Sequence, residues 1–212
     1  AYLKASNTGS GDSFGFSLAI GADTAVVGAP GEDSGATGIN GNQADNSWRN
    51  FGAAYIFTRN GITWTQQAYI KASNPGVSDS FGISVAIEGY TVIAGAYNES
   101  SNATGVNGNE ADDTAARSGA AYIFARSGTT WTQQAYLKAS NTEGGDFFGY
   151  SVAIGADTAV VGAHNEDSNA TGINGNEADN SFESAGASYA FSGFGSLPPE
   201  IAVEYPLGTD LS

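Results

Sequence analysis

Three long polar segments carry the residues whose types and spacing could do chemistry. The first reads Glu32-Asp33-Ser34-Gly35-Ala36-Thr37-Gly38-Ile39-Asn40-Gly41-Asn42-Gln43-Ala44-Asp45-Asn46. The second runs from Glu99 through Asn107, Asn109 and Asp112, and the third from Glu166 and Asp167 through Asn174, Asn176 and Asp179. Each gathers carboxylates, two Asn at alternate positions and several glycines. Hard cations take six to eight oxygens from such groups and from backbone carbonyls, so calcium is the cofactor these segments suggest. Its candidate ligands are Asp33, Asn40, Asn42, Asp45, Asn107, Asn109, Asp112, Asp167, Asn174, Asn176 and Asp179. A structural use competes with this. Asn and Asp close Asx-turns and Gly supplies positive φ, which long surface loops need. The spacing is not that of an EF-hand, and both readings stay open.

Other chemistry finds little to work with. The chain has no Cys, and His164 is its sole histidine, so neither a thiol nucleophile nor a His-based triad or zinc site can be built. No Gly-x-Ser-x-Gly elbow occurs. The paired carboxylates recur in every segment, whereas glycoside hydrolysis needs one asymmetric pair with separated pKa values. Catalysis is therefore not expected. Asn102-Ala103-Thr104 and Asn169-Ala170-Thr171 fit the glycosylation sequon. Trp64 and Trp131 could stack on sugars, but among Thr and Gln they read better as packing between strands.

The polar segments belong to a strict internal repeat. Phe14-Gly15-Phe16-Ser17-Leu18-Ala19-Ile20 returns as Phe81-Gly82-Ile83-Ser84-Val85-Ala86-Ile87 and as Phe148-Gly149-Tyr150-Ser151-Val152-Ala153-Ile154, at a period of 67 residues. A fixed period of this kind marks a repeat architecture. Within a unit, the Phe-Gly stretch alternates large and small side chains, as a strand with one small face does. Residues 24–29 are apolar at nearly every position, as in a strand covered on both faces. After the polar segment come two more strands, 53–58 and 63–72, with Asn60-Gly61 as a hairpin signal and Ser127-Gly128 in its place one unit later. The Trp-Thr-Gln-Gln strand is the most polar and belongs at an outer edge. Each unit thus supplies four antiparallel strands, which is the make-up of a propeller blade.

Ala1-Tyr2-Leu3-Lys4-Ala5-Ser6-Asn7 repeats as 68–74 and 135–141, so the chain starts on the last strand of a unit. Twelve strands result, the first predicted to complete the last blade. The expected organisation is a repeat region over 1–194 (units 14–74, 81–141 and 148–194 plus 1–7) and a linker or tail over 195–212, in which Ile201-Ala202-Val203-Glu204-Tyr205 reads as an orphan strand. It could open a further domain or add to a neighbouring sheet edge.

Phe-Gly at the head of each unit, with Gly28-Ala29-Pro30 about fifteen residues later, resembles the FG-GAP repeat of integrin α-subunits and many bacterial surface proteins. Tyr97 and His164 stand at the proline position of the second and third copies. The resemblance implies an all-β, integrin-like β-propeller, an extracellular or cell-surface location, and adhesion or ligand binding. Many relatives carry an Asp-x-Asp-x-Asp-Gly calcium loop between the first two strands. Here that connection is only Gly21-Ala22-Asp23, Glu88-Gly89-Tyr90 or Gly155-Ala156-Asp157, too short to wrap a cation.

Composition narrows the partners. Net charge is −15, and only seven Lys+Arg are scattered through 212 residues, which disfavours nucleic acid and anionic membranes. No apolar run approaches a membrane span. The chain lacks methionine and so reads as a processed or excised piece. The expected function is a non-enzymatic binding or adhesion module for a protein or glycan, with the polar loops on one face. The alternatives are a lectin and a self-assembling filament or surface-layer subunit. Three blades make a poor ring, so self-association is expected, as a homodimer completing six blades or as a head-to-tail polymer.

Overall fold

The computed structural model describes residues 1–195 and is all-β. Its strands are β1 Ser17–Gly21, β2 Thr24–Ala29, β3 Ala53–Asn60, β4 Thr63–Ile70, β5 Ser84–Glu88, β6 Thr91–Ala96, β7 Ala120–Ser127, β8 Thr130–Leu137, β9 Phe148–Gly155, β10 Thr158–Ala163 and β11 Ala187–Ser192. They pair antiparallel in chain order as β1-β2-β3-β4, β5-β6-β7-β8 and β9-β10-β11. Among the described residues no helix is long and apolar enough to cross a membrane.

The cores lie between the sheets. Val26, Ile56 and Ile70 of the first sheet meet Phe81, Val85, Ile87 and Phe124 of the second. Ile93, Ile123 and Leu137 of the second meet Phe148, Ala159 and Val161 of the third. The second sheet is thus covered on both faces, so β6 is buried at every position, as its nearly continuous apolar run predicts.

The Phe-Gly and Gly-Ala signatures have a physical cause in this stacking. Phe81 sets its ring edge-on against Tyr122 and Phe124 at 5.4 and 6.1 Å, and Phe14 and Phe148 do the same in their own sheets. Gly82, at φ +83°, would place a Cβ 2.3 Å from the Ala53 carbonyl oxygen, and a Cβ on Gly28 would lie 2.0 Å from the Gly82 oxygen. Backbone meets backbone at these points, and only glycine permits the approach, Gly82 needing its positive φ as well. The Ser17 hydroxyl then donates to the Gly82 oxygen at 2.8 Å, and Ser84 to the Gly149 oxygen at 2.8 Å.

Two expectations need correction. The first seven residues form no strand, so the described residues hold eleven strands and not twelve. A strand needs a ladder partner, and within one chain β11 does not offer one to residues 1–6. Residues 5–7 instead lie against the first sheet, with Ala5 packed beside Val27 and Tyr55. The third sheet accordingly has three strands. The hairpin at Asn60 is also shifted. Asn60 pairs with Thr63 in the ladder, and the turn is Gly61-Ile62 with positive φ on Gly61 alone, the glycine-first type of two-residue turn. The orphan strand expected at 201–205 lies outside the described residues.

Candidate functional site

Two kinds of connection share one edge of the sheets. The long loops (30–52, 97–119 and 164–186) leave β2, β6 and β10 where the links 71–83 and 138–147 leave β4 and β8. Loop and link are bonded together: Gly31 N–H donates to the Asp12 oxygen, Ser80 N–H to the Asn50 oxygen and Phe148 N–H to the Ser118 oxygen. Short turns occupy the opposite edge.

Inside each loop the candidate ligands are at work on the backbone. Asp33 Oδ1 accepts the Asn50 N–H at 2.8 Å, and Asp167 Oδ1 accepts the Ser184 N–H at 2.7 Å. Asp45 takes the N–H groups of Gly35 and Ser47. Its pKa is lowered, first by Ser47, as that of Asp112 is by Thr114 and that of Asp179 by Ser181. Asn42 Oδ1 accepts the Ala44 N–H and Asn109 Oδ1 the Ala111 N–H. The Asn176 carbonyl takes the Ser168 hydroxyl.

Asn40 and Asn107 serve a different purpose. Both adopt positive φ, near 54°, and fold the loop back along the outer strand of the sheet. Asn40 Oδ1 accepts the Tyr69 N–H at 2.9 Å while its own N–H donates to the Tyr69 oxygen at 2.7 Å. Asn107 repeats this on Tyr136. The loop thereby shields half of an otherwise open strand edge. Asn174 has the same φ of 54°. The sequence-predicted residues therefore tie several separate turns, and Asn40 stands with β4, apart from Asp33 and Asp45. Among the described residues no group of three or more His, Cys, Asp and Glu is arranged to hold a metal ion.

The strongest polar constellation lies outside the candidate cation ligands. Glu32 is fully buried and meets Lys71 Nζ at 2.7 Å; Glu99 meets Lys138 Nζ at 2.9 Å. Burial lowers the lysine pKa values, and the glutamates oppose that shift. The other carboxylate oxygen takes an amide from the link before it, Asn7 to Glu32 at 2.8 Å, Asn74 to Glu99 at 3.1 Å and Asn141 to Glu166 at 3.0 Å. Each Asn in turn accepts a tyrosine hydroxyl, from Tyr55, Tyr122 and Tyr189. A signal for this hub was present: three of the seven Lys+Arg sit at the equivalent positions 4, 71 and 138.

Beside each hub lies a further carboxyl. Burial pushes the pKa of Asp79 up to about 6 against an accepted Gly76 N–H, with Glu99 and Asp113 adding to the rise. Asp146 behaves alike and also reaches about 6. Asp12 is raised by burial and by Glu32 and Asp33, as expected if links and loops share a face.

The FG-GAP repeat profile matches residues 1–57, 64–124 and 131–191. This chain belongs to the FG-GAP repeat family. No curated protein matches it. The second and third matches begin on the outer strands β4 and β8 and run on through the next sheet, and the FG-GAP glycines are those that let neighbouring sheets touch through backbone. Trp131 is buried, with its indole N–H donating to Gln67 Oε1 at 2.8 Å across two sheets. It serves the FG-GAP packing and offers no face to a sugar. Trp48, which stacks on Phe51 at 5.3 Å, is the exposed tryptophan on the loop edge. His164 stacks on Phe147.

Proposed function

We propose that this FG-GAP chain is a non-enzymatic binding module, working outside the cell or at its surface, that presents its loop edge to a positively charged partner. One observation carries the reading, the concentration of acid on that edge. Loop 30–52 holds three Asp+Glu, loop 97–119 four and loop 164–186 five, so twelve of the chain's 22 lie there. Asp113 and Glu183 are among those facing solvent. Loops braced by their own Asx-type bonds present such charges with little ordering cost, which favours binding, and their concentrated negative charge raises the encounter rate with a cationic surface.

The test is a titration of the immobilised chain with a panel of basic and neutral peptides and with a glycan array, each at two salt concentrations. Saturable, salt-sensitive binding of a basic member, weakened by Asp113→Asn with Glu183→Gln, is the expected result. Binding confined to one glycan and indifferent to salt would overturn the reading in favour of a lectin.

Calcium is the second reading, favoured by Asp33, which stands close enough to Asp12 to help raise that carboxyl's pKa. A cation there would draw on Asn and backbone oxygens as well. Its test is a melting curve with millimolar calcium and with chelator, on the parent and on Asp33→Asn. A rise seen in the parent alone supports it, and superimposable curves reject it.

A further inference from the structure

The two ends of the stack are complementary halves of the junction that the chain builds twice internally. Beside β11 runs a cleft of about 970 Å³ lined by Glu166, Ser168, Ile173, Asn174, Ser188 and Ala190, among others. In the first two sheets the equivalent space is filled by the last strand. There Ile70 and Leu137 bridge to Ile39 and Val106, Tyr69 and Tyr136 are 0% exposed, and Lys71 and Lys138 reach the buried glutamates. In the third sheet Ile173 is 91% exposed, and among the described residues Glu166 meets no lysine.

The missing piece is at the other end. Ala1-Tyr2-Leu3-Lys4-Ala5-Ser6-Asn7 is identical, residue for residue, to 135–141. Yet Tyr2 is 88% exposed, and Lys4 is exposed too. Next to it, Leu18 and Ile20 of β1 are 70% and 71% exposed, where their equivalents Val85 and Ile87 are buried against the preceding sheet. The segment is already posed for use. Asn7 binds Glu32 and Tyr55 as Asn74 binds Glu99 and Tyr122, so docking needs no rearrangement of the first sheet.

We propose that residues 1–7 of a second copy of this chain seat in the cleft as the fourth strand of the third sheet, and that two copies do so reciprocally. Tyr2 of one copy then pairs with Tyr189 and Asn174 of the other, and Lys4 meets Glu166. Phe16, Leu18 and Ile20 cover the small face of β9, whose Ser151 hydroxyl bonds the Gly15 oxygen as Ser17 bonds Gly82. Two such junctions join six sheets, within the range of about four to eight blades that close a ring. The chain's own C-terminal sequence is a poorer fit. In repeat register it puts Pro198 and Pro199 where Trp131 and Thr132 pair in the ladder, Glu204 where Ile70 and Leu137 are buried, and Tyr205 at the lysine position.

The experiment is light scattering at micromolar concentration on the intact chain and three variants. The parent is expected at twice the single-chain mass. Lys4→Glu and Glu166→Lys each set like charges together in a buried site and should weaken association by about a hundredfold or more. Mixed in equal amounts they should recover the doubled mass, since one junction then carries the normal pair and the other the reversed pair. Tyr2→Asp alters a side chain exposed in the single chain, so its loss of association, with an unchanged circular dichroism spectrum, reports the junction and not the fold. A parent at single-chain mass, a ladder of larger masses, or full association of Lys4→Glu and Tyr2→Asp would overturn the proposal.

Discussion

Replacing Lys138 by Met keeps most of the side chain's apolar length and removes its ammonium. The ammonium is buried, 2.9 Å from Glu99 and 2.7 Å from the Ser118 hydroxyl. What remains is the Glu99 carboxylate, 1% exposed, with the Asn74 amide and no counter-charge. Stripping one partner from a buried pair costs about 3–5 kcal/mol, because the other charge stays desolvated. For a domain of this size that lowers the melting temperature by about 6–20 °C. Urea titration followed by tryptophan fluorescence reads the loss directly. Lys71→Met, which strands Glu32 in the same way, should agree within about 1 kcal/mol. Adding Glu99→Gln to Lys138→Met removes the stranded charge, keeps an acceptor for Asn74, and should recover at least half of the loss. A cost under about 1 kcal/mol for Lys138→Met would refute the buried hub, since it would mean that water reaches the pair.

Asp79 gives a pH test. Its folded pKa of about 6 lies above its ordinary 3.8, so between those values the folded chain holds more protons and the group's contribution to stability falls as pH rises through about 6. Asp79→Asn should match the parent near pH 4 and exceed it by up to about 3 kcal/mol at pH 7 and above; a difference that does not vary with pH in thermal melts would contradict this. Gly82→Ala should destabilise more than Gly15→Ala. Both need positive φ, but only Gly82 has a backbone oxygen at 2.3 Å from the added carbon, and nothing lies within 4 Å of Gly15; equal losses in denaturant would leave the close sheet contact unsupported. Asn107→Ala removes the acceptor of the Tyr136 N–H and should cost about 1–2 kcal/mol and speed amide exchange at Tyr136, whereas Asn109→Ala should leave that amide unchanged.

Much of the architecture was legible in the residues because it is periodic. The alternation in Phe16–Ile20, the nearly apolar run at 24–29 and the polar Trp-Thr-Gln-Gln stretch each map, to within a residue or two, onto a strand whose neighbours are as expected. What a repeat cannot reveal is which copies find their neighbours. Residues 1–7 match a strand at every position, but a strand is a relation between two segments, and the second lies beyond reach within one chain. The loops show a different limit. Asn40 and Asn42 are equivalent as oxygen donors, yet positive φ at Asn40 turns it to the outer strand and leaves Asn42 to close its own turn. Composition counts ligands; backbone conformation decides where they point. The Lys-Glu-Asn hub was within reach, since the chain's lysines stand only at 4, 71 and 138, one per repeat period.

The central claim is that the chain's first residues complete its last sheet through a second copy. Because the chain has no cysteine, a paired substitution tests this against a clean background. Ala54 faces Ile70 and Ala121 faces Leu137 across the ladder, so Ser188 should face Leu3 of the other copy, with Cα atoms about 4.5–5.5 Å apart and within disulfide range. Oxidised Leu3→Cys/Ser188→Cys protein should run on a non-reducing gel as a covalent pair of chains and return to one chain on reduction. A single-chain band whose disulfide links its own residues 3 and 188, or no disulfide at all, would contradict the claim.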